Sequence, residues 1–262
     1  MSINTSSLIL LFILTILKGF AFQDVKRILN GYDVAPREIP YQVSLQYGMI
    51  SRHFCSGSII NNYYIVTAGH CIKNRLLKDI VAVVGTTNLN QPKWTYKVIH
   101  FFVHNKYKVP NHFANDIALL KVDRRIVFNE FVSPVRLPKA HEELSYHQKA
   151  VASGWGMTSV LKSTTSVTLK KVEVTIVDQV YCSNLYGKIH KPVYPVQFCT
   201  HDVQSIRKAT CFGDSGGPIT FNNVLIGIVS WSHKDPECGS PKFPDVHTRV
   251  SEYIDWIKRH AV

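Results

Sequence analysis

Leu225-Ile226-Gly227-Ile228-Val229-Ser230 is a short run rich in β-branched residues and set between turn residues, the pattern of a β-strand. Runs of the same kind recur upstream, at Tyr41-Gln42-Val43-Ser44-Leu45 and at Ile80-Val81-Ala82-Val83-Val84-Gly85. The chain therefore reads as all-β. Only its end differs, because Val250, Tyr253, Ile254 and Ile257 fall at helical spacing while Asp255, Lys258 and Arg259 occupy other faces. A C-terminal helix docked on the sheets is expected. Pro134 and Pro138, followed by the polar stretch from Lys139 to Gln148, suit a crossing between two halves.

The chain has 262 residues, 45% of them hydrophobic, enough to bury one large core or two modest ones and too apolar for disorder. An apolar run from Leu8 to Ile16, with small residues near Gly19 and Ala21, has the form of a signal peptide and is too short to span a bilayer. Secretion follows, although no Lys or Arg precedes the run. All six cysteines lie after it, and in an oxidising compartment an even count favours disulfides over zinc or catalytic thiols. Spacing alone leaves 15 pairings open. The formal charge is +12, and removal of residues 1–27 takes 3 of the 30 basic and 1 of the 18 acidic residues, leaving +10. No acidic residue separates Asp79 from Asp116, whereas Lys93, Lys97, Lys106 and Lys108 fall in that interval. Such a basic face is ordinarily solvated, or it steers the protein toward polyanions. No nucleic-acid motif accompanies it.

Three segments carry chemistry. Thr67-Ala68-Gly69-His70-Cys71, Asn115-Asp116-Ile117-Ala118-Leu119-Leu120 and Gly213-Asp214-Ser215-Gly216-Gly217-Pro218 supply a base, an acid and a hydroxyl nucleophile in that order. A serine is a weak nucleophile at neutral pH and needs a base, itself oriented by a third group. In order and spacing the segments resemble those of the trypsin/chymotrypsin family over essentially the whole mature chain. The resemblance implies two antiparallel six-stranded Greek-key β-barrels with a C-terminal helix. It also implies a secreted serine endopeptidase, with Ser215 as nucleophile, His70 as proton shuttle and Asp116 as its orienter. Gly213 and Ser215 would form the oxyanion hole through their backbone N–H groups.

The same resemblance implies a zymogen. Lys26-Arg27-Ile28-Leu29-Asn30-Gly31 is similar to the family's activation site, where cleavage after Arg27 frees the Ile28 ammonium to pair with Asp214 and order the pocket. The expected division is a signal peptide at 1–21, an activation peptide at 22–27 and a protease domain at 28–262, its barrels about 28–137 and about 138–262. The family template pairs Cys55 with Cys71, Cys182 with Cys199 and Cys211 with Cys238.

Aligned on Ser215, Ala209 stands where trypsin-like relatives carry the aspartate that binds Lys or Arg. Ala209, Thr210, Phe212, Ser230, Trp231 and Ser232 then make an uncharged, substrate-binding pocket that favours aromatic or large aliphatic side chains. Asp245 complicates this. Solvated or paired with His247 two residues on, it leaves the preference unchanged; facing the substrate unpaired, it admits Lys or Arg as well and gives mixed or trypsin-like specificity. The remaining alternative is a non-catalytic binding homologue. No cofactor, no metal and in particular no calcium site are expected, since the stretch after Asp79 lacks carboxylates. Expected partners are polypeptide substrates, an activating protease and protein inhibitors, with no nucleic acid and no membrane, for a monomer.

Overall fold

The computed structural model describes residues 31–110, 113–157, 164–202, 208–233 and 238–262. The activation site at Arg27 and Ile28 and the signal segment lie outside them. Period-two alternation dictates the architecture. Along Lys170–Val177, Val172, Val174 and Ile176 are buried while Glu173 faces solvent, which is how a strand with one face on a core must read. Successive strands of this kind close on themselves and leave no open edge.

The first barrel consists of β2 (Gln42–Tyr47), β3 (Arg52–Ile59), β4 (Tyr64–Thr67), β5 (Ile80–Val84), β6 (Trp94–Val103) and β7 (Ala118–Val122), closed in the order β2-β3-β4-β7-β6-β5. The second is built from β8 (Lys149–Gly154), β9 (Lys170–Val177), β10 (Gln197–His201), β11 (Pro218–Phe221), β12 (Val224–Ser232) and β13 (Asp245–Arg249). It runs β9-β10-β13-β12-β11-β8 and closes through β8 and β9. A two-residue strand β1, Tyr32–Asp33, adds to the outside of β9. All of these strand pairings are antiparallel. The expected pair of six-stranded antiparallel barrels is thus present, and the run at Leu225–Ser230 forms the body of β12.

The expected helix begins as a 3₁₀ turn at Val250–Tyr253 and continues as a C-terminal α-helix, Ile254–His260. Val250, Tyr253, Ile254 and Ile257 are all buried against the first-barrel core, together with Trp256. A second helix, α1 (Gln179–Gly187), was not expected from periodicity. Its apolar stripe is short, with only Cys182 and Tyr186 buried; what defines it is the Asp178 cap, whose carboxylate accepts the Tyr181 N–H at 2.9 Å. The Cys182–Cys199 disulfide then fixes α1 to β10.

Hydrogen bonds cross directly between the barrels. The Ser56 N–H donates to the Ser215 carbonyl at 2.8 Å, the Thr248 hydroxyl to the Asp116 carbonyl at 2.7 Å and the Ser153 hydroxyl to Gln42 Oε1 at 2.7 Å. The first two land on residues of the chemical motifs.

Candidate active site

His70 sits in a 3₁₀ turn, Gly69–Cys71, that follows β4, and Asp116 lies two residues before β7. Because β4 and β7 are neighbours in the barrel, with Thr67 opposite Ala118, the two motifs meet at one end of the sheet. Asp116 is fully buried. Its Oδ1 accepts the His70 backbone N–H at 2.8 Å; its Oδ2 lies 2.7 Å from His70 Nδ1 and accepts the Ser230 hydroxyl at 2.6 Å. An ionised carboxylate only accepts, so Nδ1 carries the proton and Nε2 keeps its lone pair. Burial by itself lowers the basicity of His70, but the charge and hydrogen bond of Asp116 more than offset it, while Lys108 opposes them; the net shift is upward.

Ser215 joins His70 on the wall of a cleft of about 400 Å³ between the barrels, which is also lined by Phe113, Thr210, Phe212, Gly213, Trp231 and Ser232. Around it the chain is fixed on both sides. Ser56 holds the Ser215 carbonyl, and the Gly216 N–H donates to Val229 at 2.8 Å. Gly213 has φ +98°, a conformation that glycine adopts without steric cost. The Met157 N–H donates to the Phe212 carbonyl at 2.7 Å. Since that peptide is planar and trans, its Gly213 N–H points the opposite way. On the other side of Gly213, its carbonyl lies 2.9 Å from His53 Nε2, and His53 Nδ1 lies 2.8 Å from the Ser44 hydroxyl.

Asp214, the residue before Ser215, is buried. Its carboxylate accepts the N–H of Gly156 at 2.8 Å and of Cys211 at 2.9 Å. Gly154 and Gly156 make the space for it, since a Cβ at either position would come within 2.2 to 2.3 Å of a carboxylate oxygen. Burial pushes this acid up to about 7, the two N–H bonds opposing and the charge of Asp245 adding to the rise.

Ala209 and Thr210 are buried, as is Asp245. Asp245 Oδ2 accepts both the Thr210 N–H, at 2.9 Å, and the Thr210 hydroxyl, at 2.8 Å. Burial pushes its pKa up to about 6 against those two bonds. The expected pairing with His247 does not occur. His247 Nε2 lies 2.7 Å from the Thr200 hydroxyl, and burial pushes the ring down to about 3, so it is neutral and has no charge to offer. Each group bonds to a different threonine, although strand alternation puts both on one face of β13.

The three disulfides are Cys55–Cys71, Cys182–Cys199 and Cys211–Cys238. Potential ligand atoms of Cys55, His70 and Cys71 lie within 4.8 Å of one another. Both sulfurs are spent in the first disulfide, so this cluster is not a metal centre.

Several contributing residues carry no sequence signal. Phe113 packs edge-on to the His70 ring, with centroids 5.7 Å apart. Thr248, His53 and Ser44 reach the site only through the tertiary fold. The basic residues of the Asp79–Asp116 interval do not form one patch. Lys93 lies over the Phe131 ring, Lys108 over Phe113, and Lys106 lines a groove with Arg259 and His260. Lys93 precedes β6 and Lys106 and Lys108 follow it, so the ten-residue strand lies between the first and the other two.

The family model described as Trypsin matches residues 28–257. Trypsin Blo t 3 of Blomia tropicalis is 35% identical over 243 residues, covering 92% of this chain and 89% of that protein. Trypsin-1 of Astacus astacus is 35% identical over 247 residues, covering 90% of this chain and 100% of its own length. Serine protease 1 of Homo sapiens is 34% identical over 245 residues, 90% of each chain. With a family match over nearly all of its described length and relatives above 30% identity, the chain belongs to the trypsin family of serine proteases.

Proposed function

We propose that this serine protease is a secreted endopeptidase made as a zymogen and selective for aromatic or large aliphatic side chains. The observation that carries the catalytic reading is the buried Asp116 carboxylate 2.7 Å from His70 Nδ1, on the wall of the cleft that also holds Ser215. In this reading the Ser215 oxygen attacks the carbonyl carbon as its proton passes to His70 Nε2. The resulting oxyanion is met by the N–H groups of Gly213 and Ser215. The imidazolium, stabilised by Asp116, gives its proton to the leaving amine, and water then hydrolyses the acyl-enzyme by the same route in reverse. No cofactor enters these steps.

Secretion is supported by the apolar run at Leu8–Ile16 and by three disulfides that use all six cysteines. The proposed division is unchanged: signal 1–21, activation peptide 22–27, protease domain 28–262. Asp214 supports the zymogen. A buried carboxylate with a raised pKa is poorly compensated by two N–H groups, and a new ammonium from Ile28 would supply the missing charge. Arg27→Gln is expected to give secreted protein with no more than a few per cent of normal activity. Full activity in untreated material would sink the zymogen reading. The uncleaved variant also has a pH signature. The folded-state pKa of Asp214 lies above the unfolded value, so folding favours its protonated form and stability falls as pH rises from about 4 to about 7. The buried neutral His53 and His247 pull the other way in both forms, so the check is a difference: from pH 5 to pH 7.5 the Tm of Arg27→Gln should fall relative to that of the cleaved enzyme.

The substrate preference rests on the cleft wall. Thr210, Phe212, Val229, Ser230, Trp231 and Ser232 line it, while Asp245 lies behind Thr210, whose N–H and hydroxyl occupy its Oδ2. The second reading, cleavage after Lys or Arg, is favoured by relatives named trypsin and by the acid at 245. Substrates with Phe, Tyr, Leu, Arg and Lys before the scissile bond, offered to enzyme cleaved after Arg27, decide between them. The expected kcat/KM is at least about tenfold higher on Tyr or Leu than on Arg, a difference of about 1.4 kcal/mol in transition-state binding. Equal rates on Tyr and Arg would exclude the narrow preference.

A further inference from the structure

We propose that Arg75 makes the cleft select an acidic side chain in the first two positions after the scissile bond. The inference rests on the endopeptidase reading and adds a second determinant to it. The second barrel lines the cleft with Thr210, Trp231, Ser232 and Cys238, the wall that the proposed function gives to the residue supplying the attacked carbonyl. The first barrel lines it with Phe54, the Cys55–Cys71 disulfide and Arg75. The departing amine, protonated by His70, leads the following residues along this second wall.

Arg75 is held in place before any substrate arrives. Its Nε donates to the Cys71 carbonyl at 2.7 Å and its Nη1 to the Tyr47 hydroxyl. The guanidinium carbon stacks 3.9 Å from the Phe54 ring centroid and 4.9 Å from that of Tyr47. Two of the five N–H groups of an arginine are thereby used, which leaves part of the planar fork for a bidentate acceptor. Among the described residues no carboxylate lies within ion-pair distance of Arg75, and none lines the cleft. The side chain is half-buried, so its field is less screened than that of a surface lysine. A carboxylate meets a cation whose rotamer entropy has already been lost in folding.

The test uses enzyme cleaved after Arg27, its active sites counted with a serine-directed phosphonate, and internally quenched peptides that keep the best residue of the preceding panel before the bond. The two positions after it carry Glu, Gln, Ala or Lys. The expected kcat/KM for Glu exceeds that for Gln by on the order of 10-fold, and the ratio shrinks as salt is added. Arg75→Gln should bring the ratio to about 1, and Arg75→Lys should keep part of it, because the charge remains while the fork is lost. Equal cleavage of Glu and Gln peptides by the wild-type enzyme overturns the inference and leaves the endopeptidase reading intact. So does an undiminished Glu preference in Arg75→Gln. Should that variant fail to fold, the wild-type ratio, its salt dependence and Arg75→Lys still decide. Phosphonate-reactive enzyme that cuts none of the peptides overturns the endopeptidase reading, and this inference with it.

Discussion

Ser215→Ala is expected to lower kcat on a peptide substrate by about 10⁶-fold, with KM changed by only a few fold. The size follows from the site's construction. The turn carrying Ser215 is pinned by Ser56 from the first barrel and by Val229 on β12, so removal of one oxygen should not displace the groups around it. On the proposed reading, what disappears is the nucleophile alone. Residual catalysis over water, on the order of 10³-fold, would come from binding and from the Gly213 and Ser215 N–H groups. Steady-state kinetics on material cleaved after Arg27 measures this, and labelling by a phosphonate should vanish in parallel. A variant that kept a tenth of normal activity would place the nucleophile elsewhere. Wild-type protein that is cleaved after Arg27 yet resists the label would favour the binding homologue.

Asp116→Asn comes second, with an expected loss of about 10⁴-fold in kcat near neutral pH. Asp116 makes four distinguishable contacts: Oδ1 to the His70 N–H, Oδ2 to His70 Nδ1, Oδ2 to the Ser230 hydroxyl, and its backbone carbonyl to the Thr248 hydroxyl. The last is untouched by the substitution, and the amide oxygen can still accept one of the others. With that oxygen at the Oδ1 position, where it keeps the His70 N–H bond, the NH₂ group stands at the Oδ2 position and meets both His70 Nδ1 and Ser230 as a donor. Facing His70, it stabilises the tautomer with the proton on Nε2, which cannot accept a proton from Ser215. The charge that keeps the His70 pKa raised is lost as well. Circular dichroism should show the fold retained, while kcat collapses. A loss below about tenfold would remove Asp116 from the mechanism.

Much of this was legible from local pattern. Alternating β-branched runs announced the strands, and the helical spacing of Val250, Tyr253, Ile254 and Ile257 announced the C-terminal helix, because both signals reside within a few consecutive residues. α1 was not legible, since its stability comes from a capping aspartate and a disulfide and not from a wide apolar stripe. The three chemical segments could be read because each is a compact motif. Phe113, Thr248, His53 and Ser44 could not, because each contributes one atom or one ring face brought from a distant part of the chain. The same reason undid the pairing of Asp245 with His247. Strand alternation fixes which face a side chain uses, but the neighbour that it bonds to belongs to other segments, here Thr210 in a loop and Thr200 on β10. Nearness in sequence misled again for Lys93, Lys106 and Lys108, since β6 lies between the first and the other two.

The hydrogen bonds that run between the barrels have a consequence for the choice of target. With Ser56 holding the Ser215 carbonyl and Thr248 holding that of Asp116, the parts of the cleft contributed by the two barrels are tied to each other. A polypeptide lying extended along the wall is the form that such a cleft would cut. In a folded target such a segment exists only where the chain detaches locally from its own structure. The rate at which a given protein is cut would thus be governed as much by that protein's fraying loops and linkers as by the side chain the pocket prefers.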